Sequence, residues 1–133
     1  MIESYYHEAE GYNPFLIREG WQVAQLNYLP KYGLDDIDDV EVHQSTDEVF
    51  ILFKGKAVLI AANLDGMKFE CVNMKPGVTY NIPAGVWHNI AMDKDAEMII
   101  VEKSYTHKHD CEHKLLSEEE RQRLYQNIAA RLE

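Results

Sequence analysis

Glu41, His43 and Glu48 place two carboxylates and an imidazole within eight residues, and a second imidazole, His88, follows inside Pro83-Ala-Gly85-Val-Trp-His88. Two imidazoles and two carboxylates form a borderline-to-hard donor set. It suits one divalent ion of Fe, Mn, Ni, Zn or Co, and affinity order alone does not choose among them. Side by side in a partly dry interior the two carboxylates repel. Without a counter-charge one of them is expected to hold a proton, its pKa raised by like charge and by desolvation. A divalent ion removes that cost. Four protein ligands on a six-coordinate ion leave two positions for water or substrate, which suits Lewis-acid or oxygen chemistry. The alternative is a metal-free set of carboxylate–imidazole hydrogen bonds.

The elements that must position these groups are short strands. In a strand successive side chains alternate faces, so Glu41 and His43 point the same way. Residues 44–47 are expected to make a hairpin turn, with Glu48 opening the partner strand beside them. His88 lies forty residues beyond Glu48 and joins only if the sheet closes on itself. Strands are expected over 21–28, 40–44, 48–53, 57–62, 67–73, 79–82, 87–92 and 97–103, separated by Gly, Pro, Asn and Asp turn signals. That rhythm is the signature of an antiparallel sandwich or barrel.

Residues 1–20, with Gly11, Pro14 and Gly20, read as a loose arm carrying a short extended piece at 14–17. The acidic stretch 35–39 reads as a solvated turn, because the spacing and glutamate of a calcium loop are missing. Val49 to Phe53 and Met98 to Val101 are apolar on both faces. An outer apolar face needs cover, and a second copy of the chain, a homodimer, is expected to supply it. At the end of the chain the period changes. Ser117 and Glu120 form a capping-box pattern, and Leu124, Ile128 and Leu132 follow at four-residue spacing. An amphipathic helix docked on the outside of the sheet structure is expected.

The motifs around these residues resemble those of the cupin superfamily. The first cupin motif is a His-x-His pair, three or four residues, Glu, six residues and Gly; here Glu41-x-His43, four residues, Glu48, six residues and Gly55 stand in that spacing. In the second motif Gly77, Pro83, Gly85 and His88 fall in register. Three positions depart from the pattern: Glu41 replaces the first His, Met92 the closing Asn and Asp35 the opening Gly. The chain most resembles small single-domain bacterial cupins. The resemblance implies an all-β fold, a small jelly-roll barrel enclosing a cavity, with an N-terminal arm (1–20), the barrel (21–104), and a connector with a C-terminal α-helix (105–133). It implies metal ligands at His43, Glu48 and His88, with Glu41 as a fourth ligand or as a neighbouring general base. Sharing the inward parity of Glu48, Phe50 and Leu52 are expected on the pocket wall with Tyr80, and Trp87 at the rim or outside.

Composition narrows the partners. The chain has 23 acidic and 13 basic residues, a net charge of −10, which repels phosphate backbones and anionic membranes. Neither nucleic acid nor a membrane is an expected partner, and with no leader or long apolar run the expected compartment is the cytoplasm. Cys71 and Cys111 read as free thiols. The row His107, His109, Cys111 and His113 would spread over about 20 Å if extended, too far to surround one ion, so it reads as a solvated connector. The expected ligand is a small molecule. Either the chain is an enzyme, a metal-dependent isomerase or oxygenase acting on an oxygen-rich metabolite such as a sugar or keto acid, or it is a non-catalytic binding or storage module.

Overall fold

In the computed structural model, which spans residues 1–133, the short strands assemble into two antiparallel sheets packed face to face. The first contains β1 (Gly11–Arg18), β2 (Trp21–Asn27), β4 (Glu48–Lys54), β7 (Thr79–Ile82) and β9 (Glu97–Glu102), in the order β1-β2-β9-β4-β7. The second contains β3 (Asp39–Val42), β5 (Ala57–Asn63), β6 (Lys68–Asn73), β8 (Trp87–Met92) and β10 (Glu112–Leu115), in the order β10-β3-β8-β5-β6. One helical turn, α1 (Thr106–His109), and the long helix α2 (Glu118–Leu132) complete the chain. This is the jelly-roll arrangement expected from the motifs.

Three local expectations are corrected. Residues 11–18 are not part of a loose arm; they form edge strand β1, paired with β2 through a turn at Gly20, whose φ of +90° suits glycine. Residues 44–47 do not make a hairpin. They carry the chain from one sheet to the other, since β3 pairs with β10 and β8 while β4 pairs with β7 and β9. The tail is not a free connector either: α1 curls it, and β10 then pairs with β3 from Glu112↔Val42 to Leu115↔Asp39.

The doubly apolar strands now have physical reasons. Between the sheets lie Leu26, Phe50, Leu52, Leu59, Ile90, Met98 and Ile100, drawn from both layers. On the outer side of the second sheet, Val58, Ile60 and Cys71 pack with Leu124 and Ile128 of α2. Burying two such helix side chains contributes about 1.5–3 kcal/mol each. The helix starts where expected: the Ser117 hydroxyl accepts from the Glu120 amide at 3.1 Å, and the Glu120 carboxylate accepts from the Ser117 amide at 2.8 Å. The outer side of the first sheet is covered only in part. Residues 6–9 lie along it, with Gln25 and Asn27 donating to the carbonyls of His7 and Ala9, and Tyr6 donating to Glu97. Val49, Ile51, Ile99 and Val101 remain half-buried there, and Phe53 is exposed. No helix is long and apolar enough to cross a membrane.

Candidate metal centre

Strand parity and sheet layering bring the four expected residues together. Glu41 on β3 stands directly opposite His88 on β8 within the second sheet, and His43 follows β3 on the same face. Glu48, the first residue of β4, reaches them from the first sheet. One ligand atom from each of Glu41, His43, Glu48 and His88 falls within 4.8 Å of all the others. Glu48 Oε1 lies 2.8 Å from His88 Nε2 and 3.4 Å from His43 Nε2, and Glu41 Oε1 lies 3.8 Å from His88 Nε2. His43, Glu48 and His88 are buried, and Glu41 is partly open to solvent.

The far side of each imidazole is tied to the backbone. His88 Nδ1 meets the Val86 carbonyl at 2.9 Å, and His43 Nδ1 meets the Asp110 carbonyl. A carbonyl accepts only from N–H, so each Nδ1 carries its proton and each Nε2 faces the carboxylates. Such an outer hydrogen bond fixes the tautomer of metal-ligating histidines. The donor set therefore fits a metal ion.

The charge balance differs from expectation. Glu48 is not the carboxylate that gains a proton. Burial disfavours the Glu48 anion, but hydrogen bonds from His43 and His88 outweigh it and hold its pKa well below the usual range. Burial likewise opposes charge on His43 and His88, yet the bond to Glu48 raises both. Glu48 and the two imidazoles thus favour each other's charged forms, the role a divalent ion would otherwise fill. The raised carboxyl is Glu102, at the end of β9. It is pushed up to about 7, first by burial and then by the charge of Glu48. It is 4% exposed; Oε1 accepts from Tyr12 and Gln22, while Oε2 is buried with no hydrogen-bond partner. Glu102 was missed in the sequence, although it shares the inward parity of Met98 and Ile100.

These groups line a cavity of about 430 Å³. Leu26, Phe50, Ile90 and Ile100 form its apolar wall, and Tyr12, Tyr32, Lys31 and Lys108 join the polar side. Phe50 lines the wall, and Leu52 and Tyr80 do not. Leu52 lies fully buried in the inter-sheet core, and the Tyr80 hydroxyl turns away to accept from the Lys75 amide at 2.9 Å. Parity gives the face of a strand residue but not its depth, and one step along β4 carries Leu52 below the cavity floor. Trp87 packs on the outer side of the second sheet, outside the cavity.

No family model and no curated protein matches the sequence. Solved structures do match the fold. A Pac13 variant from Streptomyces, determined with uridine, is 13% identical, covers 90% of this chain and 98% of its own, and superposes with a TM-score of 0.61. A cupin-2 domain protein from Shewanella frigidimarina NCIMB 400 is 22% identical over 74% of this chain and 84% of its own, with a TM-score of 0.53. A longer oxalate oxidase aligns at 18% identity and a TM-score of 0.49; the match takes in 64% of this chain but only 42% of that one. Fold and motifs together make this a cupin-fold protein. Within its cavity stands a candidate site for one metal ion.

Proposed function

We propose that this chain holds a divalent metal ion at His43, Glu48 and His88, with Glu41 as fourth ligand, and acts on a small oxygen-rich metabolite. The observation that carries the reading is the convergence of the four donor atoms within 4.8 Å, with both imidazoles held by backbone carbonyls on their far sides. When bound, such an ion polarises a substrate oxygen as a Lewis acid. Glu102 is the proton carrier of this scheme, in place of Glu41. It lies in the cavity wall with a carboxyl raised to about 7 by burial and by Glu48, the range in which a group can both take and give a proton near neutrality. Lys31 and Lys108 beside the cavity favour an anionic substrate in a protein whose net charge is −10. A keto acid suits that pairing better than a neutral sugar.

The test begins with elemental analysis of protein purified without added metal. Glu48→Ala, and separately His88→Gln, should remove one ion per chain; metal content equal to wild type in both would overturn the reading. Thermal-shift screening of metal-loaded protein should then show stabilisation by small keto acids. Uridine belongs in the same screen because the Streptomyces Pac13 variant is seen with it. Stabilisation by uridine but by no keto acid would overturn the substrate class. Binding without turnover would favour the storage module.

A further inference from the structure

Glu41 has a second set of neighbours. Its Oε1 faces His88, and its Oε2 turns the other way, 3.1 Å from Cys111 Sγ and 3.9 Å from His113 Nε2. Cys111 Sγ and His113 Nε2 are themselves 3.3 Å apart. The three atoms form a triangle with sides of 3.1, 3.3 and 3.9 Å. A tetrahedral ion with Zn–S, Zn–N and Zn–O bonds of about 2.0–2.3 Å sets its ligand atoms about 3.3–3.6 Å apart. The triangle needs adjustments of only a few tenths of an ångström to meet that geometry.

An independent feature points the same way. His113 Nδ1 lies 2.9 Å from the Asp39 carboxylate, so Nδ1 carries the proton and Nε2 presents its lone pair to Cys111 and Glu41. A carboxylate behind an imidazole, with a thiol and a second carboxylate in front, is the outer-sphere arrangement of histidine zinc ligands. The pairing of β10 with β3 sets this up, since it places His113 directly across from Glu41. An extended row would have kept the tail's four candidate ligands apart, but the folded tail is not extended. Only Cys111 and His113 enter here, and the other two are spent in α1, where His107 meets Gln22 at 2.8 Å.

We propose a second cation site at the cavity mouth, with Glu41 Oε2, Cys111 Sγ and His113 Nε2 as ligands and Asp39 as a positioning residue. Its ion is zinc-like, since a thiolate, an imidazole and a carboxylate in a tetrahedral frame select a borderline-soft metal. Three protein ligands leave the fourth position to water or substrate. Cys111 and His113 both border the cavity, so that position opens toward the inner site. Glu41 then bridges the two sites, one oxygen to each. The outer site shares only Glu41 with the inner one and does not require the inner ion.

The experiment is a titration of chelator-stripped, thiol-reduced full chain with Zn(II) and with Co(II), read by equilibrium dialysis and by near-ultraviolet absorption. Wild type should take up two ions per chain and develop a thiolate-to-cobalt charge-transfer band. Cys111→Ser should lose the band and one ion, and His113→Gln should lose one ion. Asp39→Asn should keep the stoichiometry but weaken the outer ion about 10–100-fold. Glu48→Ala should lose the inner ion while keeping the band, which separates failure of the inner site from failure of the outer one. The proposal is overturned if the Cys111→Ser/His113→Gln double variant binds as many ions as wild type, or if the band survives Cys111→Ser and vanishes with Cys71→Ser.

Discussion

His113 on β10 stands directly across β3 from His88 on β8, with Glu41 as the register partner of both. An imidazole, a carboxylate and an imidazole therefore form one row over three adjacent strands, on the face that borders the cavity. Polar side chains directly opposite one another on adjacent strands interact. The row binds the short polar edge strand β10 to the sheet by its chemistry as well as by its backbone ladder.

Glu102 makes stability depend on pH in chelator-treated protein. Its folded pKa is raised from 4.5 to about 7 by burial and by Glu48. The native state therefore holds that proton more tightly than the unfolded chain, and stability falls as pH rises from 4.5 toward 7. Each tenfold gain in proton affinity is worth about 1.4 kcal/mol, so the whole effect is about 3 kcal/mol at most. Glu102→Gln should melt with wild type at pH 4 and well above it at pH 8. A difference in Tm that does not change with pH would remove Glu102 from the acid–base scheme.

Gly55 closes the turn after β4 with a φ of +76°, and a Cβ there would lie 2.4 Å from the Ala96 amide nitrogen. Backbone, not a movable side chain, blocks the space. Gly55→Ala should cost about 2–4 kcal/mol, from the strained conformation together with the clash. Denaturant unfolding checks it, and a loss under about 1 kcal/mol would mean that the turn relaxes freely.

Leu124 is fully buried between α2 and the second sheet, in the same cluster as Cys71. Leu124→Ala should destabilise the protein by about 2–5 kcal/mol. Burial also raises the Cys71 thiol to about 11, so in wild type it should resist thiol reagents at pH 8. Loosening the helix should speed its modification, measured in a Cys111→Ser background. Equal labelling rates with and without Leu124 would show that the helix does not shield it.

For the expected homodimer we propose one face. Ile51 pairs with Ile99, and Val49 with Val101, on the outer side of the first sheet beyond the reach of residues 6–9. Light scattering should give twice the mass of one chain, and Ile99→Lys should return the monomer. A monomeric wild type at micromolar concentration would sink the expectation.

The strand rhythm, the capping box at Ser117 and the spacing of Glu41, His43 and Glu48 were legible because each rests on local geometry, and His88 through the spacing of the second motif. What could not be read was depth and long-range pairing. A turn at 44–47 fits a hairpin or a crossing between sheets equally well, and only packing against β7, β8 and β9 decides. Glu-His-Lys-Leu in β10 shows no apolar alternation, and its four side chains are exposed, so nothing in its composition announces a strand. Its place follows from partners seventy residues away. Glu102 did leave a signal, the parity of β9, but a charged residue at a strand end looks like the beginning of a turn.

The Asp110 carboxylate accepts from the amides of Gln44 and Ser45 at 3.0 and 2.7 Å, while its carbonyl holds His43. The contacts that finish the site thus join residues 65 to 70 positions apart. On a translating ribosome, Glu41 and His43 emerge long before the segment that orients them. Until that segment arrives, the nascent chain carries His43 and Glu41 with no fixed direction, so the candidate site takes its final geometry only after residues 110 and 111 have been made.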